Sequence, residues 1–211
     1  MSAALEQLRE FWDQRYAAPG FVYGIEPNSF LMDQVQHLPA GGRVLCLADG
    51  EGRNGVWLAG QGFDVTSVDV SPQGVDKARR LAAHHGVALC AMVADVTQLD
   101  LGQDRWDAIV SIFLHLPARA RSGLHRRAVQ ALKPAGVFLW EAYGPGQLQL
   151  ATGGPRDAAL LPVLDEVALD FSDCRLIHAW SGARWVEEGS LHTGQGAVTQ
   201  LVASKAGKMP V

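Results

Sequence analysis

Near the start of the chain Leu5, Leu8, Trp12 and Tyr16 recur at helical spacing, with Glu6, Glu10 and Asp13 on other faces. That pattern predicts an amphipathic helix, which Pro19 and Gly20 end. Asn28 then stands in a cap position ahead of a short helix carrying Phe30, Leu31, Val35 and Leu38 inward, closed by Pro39, Gly41 and Gly42. From Arg43 onward the rhythm changes to short, nearly continuous apolar runs: RVLCLA (43–48), FDVTSVDV (63–70), VALCAMVA (87–94), WDAIVSIF (106–113) and VFLWEAY (137–143). Such runs suit strands buried on both faces. Helical stretches separate them. Ser71-Pro72 is an N-cap followed by proline at the first helical position, and Gly86 supplies the stop. Leu124, Ala128, Ala131 and Leu132 form a second apolar stripe ended by Pro134 and Gly136. Strand–helix alternation at this spacing predicts an α/β, doubly wound fold whose parallel strands are joined by right-handed crossovers.

The last third departs from that rhythm. Residues 142–157, AYGPGQLQLATGGPRD, read as a surface loop, followed by a short helix around Leu160–Leu169 limited by Pro162. CRLIHAW (174–180) and AVTQLVAS (197–204) read as strands joined through the polar stretch GARWVEEGSLHTGQG. Closely linked strands pair antiparallel more readily than parallel, so the sheet should end in an antiparallel hairpin.

Composition narrows the class. At 211 residues, 48% apolar and 19% charged, the chain has ordinary globular usage and the length of one domain. Lys plus Arg is 18 against 22 Asp plus Glu, a net charge of −4, which argues against a dedicated nucleic-acid binder. The basic cluster Arg119, Arg121, Arg126 and Arg127 accordingly reads as a solvated helix face. Three cysteines without CxxC spacing indicate neither a disulfide framework nor a metal centre, and Cys46 and Cys90 read as core packing. His84 and His85, adjacent on a helix, point about 100° apart and are no metal pair. No apolar run approaches the roughly 18 residues that span a bilayer, and the N-terminus lacks the apolar block of a signal peptide. The expected location is the cytoplasm, with no membrane or nucleic-acid partner.

Candidate chemistry centres on Val44–Ala59, VLCLADGEGRNGVWLA. A strand enters a glycine loop and leaves as a helix. Such a loop lets backbone approach a ligand closely and presents free helix N–H groups to it. Gly50, Gly52 and Gly55 satisfy G-x-G-x-x-G, a spacing that a plain strand-to-helix turn also produces. Asp69 ends the second strand 19 residues after Gly50 and is placed to accept from both hydroxyls of a ribose. Asp95 ends the third strand at the same sheet edge, where an adenine amine makes a suitable donor. Each acid has a structural alternative as a cap of the segment that follows.

These segments resemble the class I S-adenosylmethionine-dependent methyltransferases, more narrowly the small tellurite-resistance and thiopurine methyltransferase-like members. The resemblance rests on FWDQRY…FVYGIEPNSFL, the loop at 44–59, VDVSP, VADV, WDAIVSIFLHL and LKPAGVFLWEAY. It implies a Rossmann-like, mostly parallel seven-stranded sheet ending in an antiparallel hairpin. It also implies S-adenosylmethionine as cofactor and a small-molecule acceptor: a thiol, a metalloid oxyanion or a small amine. Gly50 and Gly52 would pass under the cofactor's methionine part, Asp69 would hold the ribose, and Asp95 with Val96 the adenine. Glu51, Arg53, Asn54, Val70, Ile112 and Phe113 complete the implied cofactor contacts. The chain departs from the family pattern at Cys46, where an acid is expected, and at Ala48, where a glycine is expected; Asp49 and Glu51 lie close enough to supply a carboxylate.

Residues 1–40 resemble the family's lid, with Trp12, Arg15, Tyr16, Tyr23 and Asn28 facing cofactor and acceptor, and residues 41–206 its methyltransferase domain. Methyl transfer from a sulfonium is an in-line displacement, so positioning dominates, and a base is needed only where the acceptor's reactive atom carries a proton. His115 and Glu141 are the candidate bases, with Tyr143 and His192 beside them; a buried Glu141 could equally be paired with an arginine. Two other classes fit less of the pattern: a nucleotide-binding module without catalysis, and an NAD(P)-dependent oxidoreductase.

Overall fold

A computed structural model describes residues 3–150, 152–189 and 192–207. The predicted first helix is α1 (Ala3–Tyr16), and α2 (Ser29–Gln34) starts where Asn28 Oδ1 accepts from the Leu31 N–H at 2.9 Å. The strands follow as β1 (Arg43–Leu47), β2 (Asp64–Asp69), β3 (Cys90–Val93), β4 (Trp106–Ile112) and β5 (Leu132–Tyr143), all parallel. Between them run α3 (Arg53–Gly60), α4 (Pro72–His85) and α5 (Ala118–Ala131). Ser71 caps α4 by accepting from Gly74 N–H at 3.0 Å, and Gly86 closes it in the left-handed conformation that glycine adopts freely. A short α6 (Leu164–Leu169) leads into β6 (Cys174–Glu187) and β7 (Thr193–Lys205). The sheet order is β3-β2-β1-β4-β5-β7-β6, with β7 antiparallel to both its neighbours, so the hairpin expected from sequence is present.

The pleat sorts the core. Leu45 and Leu47 face one side with Ile109, Phe138 and Trp140, packed against Leu124, Ala128 and Ala131 of α5 and Val167 of α6. Val44 and Cys46 face the other with Ala108, Val110 and Leu139, packed against Phe30 and Leu31 of α2 and Leu58 of α3. One layer of helices therefore covers each face. Among the described residues no helix is long and apolar enough to cross a membrane.

Four sequence expectations change. Leu132 leaves the α5 stripe and opens β5 opposite Trp106; the register then jumps to Ala108↔Val137, and the extra residues bulge out with Ala135 at φ +63°. The polar stretch after Trp180 is not a loop but lies mostly within β6 and β7, because an edge hairpin can leave one face to water and needs no apolar run. Cys90 is exposed, since β3 is the other edge of the sheet. Of the four arginines, Arg119 and Arg126 are exposed, but Arg121 is buried and Arg127 donates to the carbonyls of Val96 (2.9 Å) and Leu99 (2.8 Å).

Candidate active site

Open α/β sheets bind ligands outside the carboxyl ends of their strands, where the strand order reverses. Here the order reverses between β1 and β4, and a cavity of about 430 Å3 opens there beneath α1. That volume falls within the roughly 300–1,000 Å3 of small-ligand pockets.

The floor is the loop between β1 and α3. Ala48, Gly50 and Gly52 hold φ of +52°, +58° and +88°, so the chain swings through three left-handed residues in five positions. Ala48 does this with a side chain, at the place where the family resemblance expects glycine. Cys46, where an acid is expected, points into the core beside Val44. Glycine is required at Gly50 because a Cβ would sit 2.6 Å from Tyr16 Oη, and at Gly52 because a Cβ would sit 2.5 Å from the Cβ of Ala78. Gly50 thus serves close approach of α1 to the loop, whereas Gly52 serves packing of α3 on α4 and does not line the cavity.

Three acids hold this floor. Asp69 Oδ2 accepts from Gly50 N–H at 2.8 Å while Oδ1 accepts from Ser71 N–H at 2.9 Å. Burial pushes its carboxyl up to about 6 against those stabilising bonds. Asp49 turns inward, accepting from Ser67 Oγ–H at 2.8 Å and Gly55 N–H at 3.2 Å, and burial raises it to about 7. Glu51 Oε2 accepts from Val22 N–H at 2.8 Å while Oε1 meets Lys77 Nζ at 2.8 Å, tying the segment after α1 to α4. Two residues past β3, Asp95 Oδ1 accepts from the N–H and hydroxyl of Thr97, both at 2.8 Å. Asp69 and Asp95 therefore both hold local turns, and both line the cavity.

The roof comes from α1 and the segment after it. Tyr16 is 5% exposed and stacks on Trp12 at 5.5 Å, and Arg15 donates to Tyr23 Oη at 2.9 Å. Asp13 accepts from Gln73 N–H at 3.1 Å and from the Ser71 hydroxyl, so α1 covers the first turn of α4.

The wall opposite the acids is aromatic. Phe113, in the left-handed region at φ +54°, lies 4.7 Å from the Tyr143 ring and 4.9 Å from His192. His115 lies parallel to Tyr143 at 5.9 Å. Burial lowers both histidines to about 4 and raises the Tyr143 phenol.

Of the sequence-predicted site residues, Gly50, Glu51, Arg53, Asn54, Asp69, Val70, Asp95, Val96, Ile112, Phe113, His115, Trp12, Arg15, Tyr16 and Tyr23 line this one cavity. Gly52, Asn28, Tyr143 and Glu141 do not. Tyr143 backs the aromatic wall from outside the lining. Glu141 is fully buried in a polar cluster: Arg184 grips it through Nε (3.0 Å) and Nη2 (2.5 Å), and Asn28 Nδ2 and Gln200 Nε2 donate to it. Asn28 and Arg184 also reach Glu188, which pairs with Arg53 of α3. A carboxylate so engaged has no proton-transfer task open to it, so the arginine-pair alternative replaces Glu141's candidacy as a base. Sequence reasoning missed Arg184 and Glu188, which no local pattern sets apart in a polar stretch, and the lining residues Leu8, Phe11, Pro155 and Leu160. No group of three or more metal-ligating side chains is assembled among the described residues.

Residues 44–136 match the family described as Methyltransferase domain. Magnesium protoporphyrin IX methyltransferase from Synechocystis PCC 6803, solved with bound S-adenosylhomocysteine, is 14% identical, with 95% of this chain and 99% of that one covered at a TM-score of 0.67. A TehB-like S-adenosylmethionine-dependent methyltransferase from Corynebacterium glutamicum is 21% identical, covering 96% and 98% at a TM-score of 0.58. A protein solved in work on the conversion of a disulfide bond into a thioacetal group during echinomycin biosynthesis is 18% identical, covering 96% and 93% at a TM-score of 0.76. The switch-point cavity and the terminal antiparallel hairpin give this chain the Rossmann-like fold of those S-adenosylmethionine-dependent methyltransferases, and residues 44–136 match a methyltransferase domain.

Proposed function

We propose that the chain binds S-adenosylmethionine in the switch-point cavity and transfers its methyl group to a small-molecule acceptor. The observation that carries this reading is the pair Asp69, at the end of β2, and Asp95, two residues past the end of the adjacent β3, lining one cavity with the glycine loop. Two carboxylates so spaced suit a ribose diol and an adenine amine, and the loop's left-handed turn at Gly50 brings bare backbone to the cavity floor. The bound cofactor supplies an electrophilic methyl on sulfur. The protein's part is to hold it, exclude water and present the acceptor in line.

Residues 1–40 serve as the lid. Trp12, Arg15, Tyr16 and Tyr23 close the cavity from above, and Asn28 anchors the segment by its bonds to Glu141 and Glu188. Calorimetric titration with S-adenosylmethionine, S-adenosylhomocysteine and NAD tests the binding, and a labelled-methyl screen of thiols, selenite or tellurite, small amines and phenols tests the transfer. Saturable binding of S-adenosylhomocysteine without NAD binding is expected. Binding of NAD alone would overturn the reading, and cofactor binding with no transfer to any acceptor would leave a binding module. Hydrogen exchange over residues 11–30 should slow when S-adenosylhomocysteine is added; equal protection in both states would make the segment ordinary packing.

A further inference from the structure

Residues 17–28 form neither helix nor strand, yet they join α1 to α2 and carry Tyr23 to the cavity lining. Backbone groups without a ladder must be satisfied elsewhere. Here two charged side chains from other elements satisfy them.

Lys77 of α4 uses all three ammonium donors, on the carbonyls of Ala18 (2.8 Å) and Gly20 (2.5 Å) and on Glu51 Oε1 (2.8 Å). Glu51, in the glycine loop, accepts through Oε2 from the N–H groups of Val22 (2.8 Å) and Tyr23 (3.3 Å). Both side chains are largely buried, Glu51 at 2% and Lys77 at 13% exposure. Between these bonds Phe21 packs on Val56, Leu81 and Ala82, with the Lys77 ammonium 5.8 Å from its ring. A buried ion pair repays little more than its own desolvation, and its best-attested use is to fix one arrangement among several. The arrangement fixed here is that of residues 18–23.

That arrangement reaches the cavity. Tyr23, whose N–H Glu51 holds, accepts from Arg15 at 2.9 Å, and Tyr23 and Arg15 both line the cavity. Glu51 lines it too, but Lys77 lies outside the lining. The lysine can act on a bound molecule only through the groups it holds.

Resting on the methyltransferase reading above, we propose that Glu51 and Lys77 are positioning residues. Together they clamp residues 18–23 to the glycine loop and to α4, and so fix Tyr23 and Arg15 where they meet the bound cofactor. The sequence offers Glu51 as a carboxylate for the cofactor's amino group; the clamp gives that carboxylate a different task.

The test uses the full chain, the variant Lys77→Met and the double variant Lys77→Met with Glu51→Gln. Lys77→Met keeps the aliphatic stem beside Phe21 and removes the donors. It should lower S-adenosylhomocysteine affinity about tenfold, within the range seen when a group is displaced from outside the site, chiefly through faster dissociation. Amide exchange over residues 18–23 should quicken with it. The single variant also loses stability, because the Glu51 carboxylate stays buried without its cation. The double variant separates the two effects. Neutralising the stranded carboxylate should restore part of the urea midpoint, while affinity stays low because the carbonyls of Ala18 and Gly20 still lack their donor. Wild-type affinity in Lys77→Met, or affinity that recovers in step with stability in the double variant, would overturn the proposal. Where Lys77→Met fails to fold, the double variant, which strands no charge, decides by its affinity alone. Failure of the wild-type chain to bind S-adenosylhomocysteine would instead sink the methyltransferase reading, and the proposal with it.

Discussion

Gly50 and Asp69, 19 residues apart, are joined by a hydrogen bond of 2.8 Å from the glycine N–H to the carboxylate, so the acid at the end of β2 holds the turn at the end of β1. A residue read from sequence as a ribose ligand or a cap of the segment that follows also shapes the loop the ligand would rest on. Asp69→Ala should therefore do two things. It should weaken S-adenosylhomocysteine binding by about 1.5–3 kcal/mol, the usual worth of bonds to a charged acceptor, and destabilise the fold by about 1–3 kcal/mol through the orphaned N–H groups of Gly50 and Ser71. Calorimetry and urea unfolding separate the two effects. Unchanged affinity with reduced stability would make Asp69 a loop brace alone.

Ala48 sits at φ +52°. A left-handed L-residue costs roughly 1–2 kcal/mol, while glycine gives back about 0.5–1 kcal/mol in the flexibility of the unfolded chain. Ala48→Gly should accordingly stabilise the protein by up to about 1 kcal/mol, read as a higher urea midpoint at constant slope. A lower midpoint would show that the alanine methyl contributes more packing than its backbone conformation costs.

Glu141 and Arg184 form a buried two-point pair away from the cavity lining. Removing one partner of such a pair costs about 3–5 kcal/mol because the other is left buried and charged. Glu141→Gln should fall near the lower end, since Arg184 keeps Glu188 at 3.2 Å. The double variant Glu141→Gln with Arg184→Met should recover part of the loss. Affinity for S-adenosylhomocysteine, measured well below the melting temperature, should change by less than about tenfold in either; a larger loss would return Glu141 to the site.

Burial raises Asp49 from 3.8 to about 7. The folded protein thus holds a proton that the unfolded chain releases near pH 4, and this group's contribution to stability falls as pH rises from about 4 to about 7. His115 and His192, lowered to about 4, act oppositely between pH 4 and about 6.5, where the unfolded chain binds the extra protons. Asp49→Asn removes only the falling contribution. Its stability relative to the wild type should therefore climb through pH 4–7 and level off near pH 8, a total rise on the order of 4 kcal/mol at about 1.4 kcal/mol per pH unit. Thermal melts of both proteins at matched pH give the difference directly; a difference independent of pH would show that Asp49 is not the titrating group.

Local pattern carried the alternation of strands and helices, the caps at Asn28, Ser71 and Gly86, and the placing of Asp69 at the end of its strand and Asp95 just past the next, because apolar spacing and capping chemistry act within a few residues. The glycine loop was legible for the same reason: its turn is built from consecutive residues. What neighbours in sequence could not carry was contact across the fold. That Asn28 would meet Glu141, 113 residues on, that Arg184 and Glu188 would close that cluster, and that His192 would come against Phe113 were settled when β7 inserted between β5 and β6 and brought the hairpin's far end against the segment after α1. Buried charges must find partners wherever the packed chain brings them together. His115 is held in the same way, its Nδ1 lying 3.2 Å from the carbonyl oxygen of Leu160, 45 residues away.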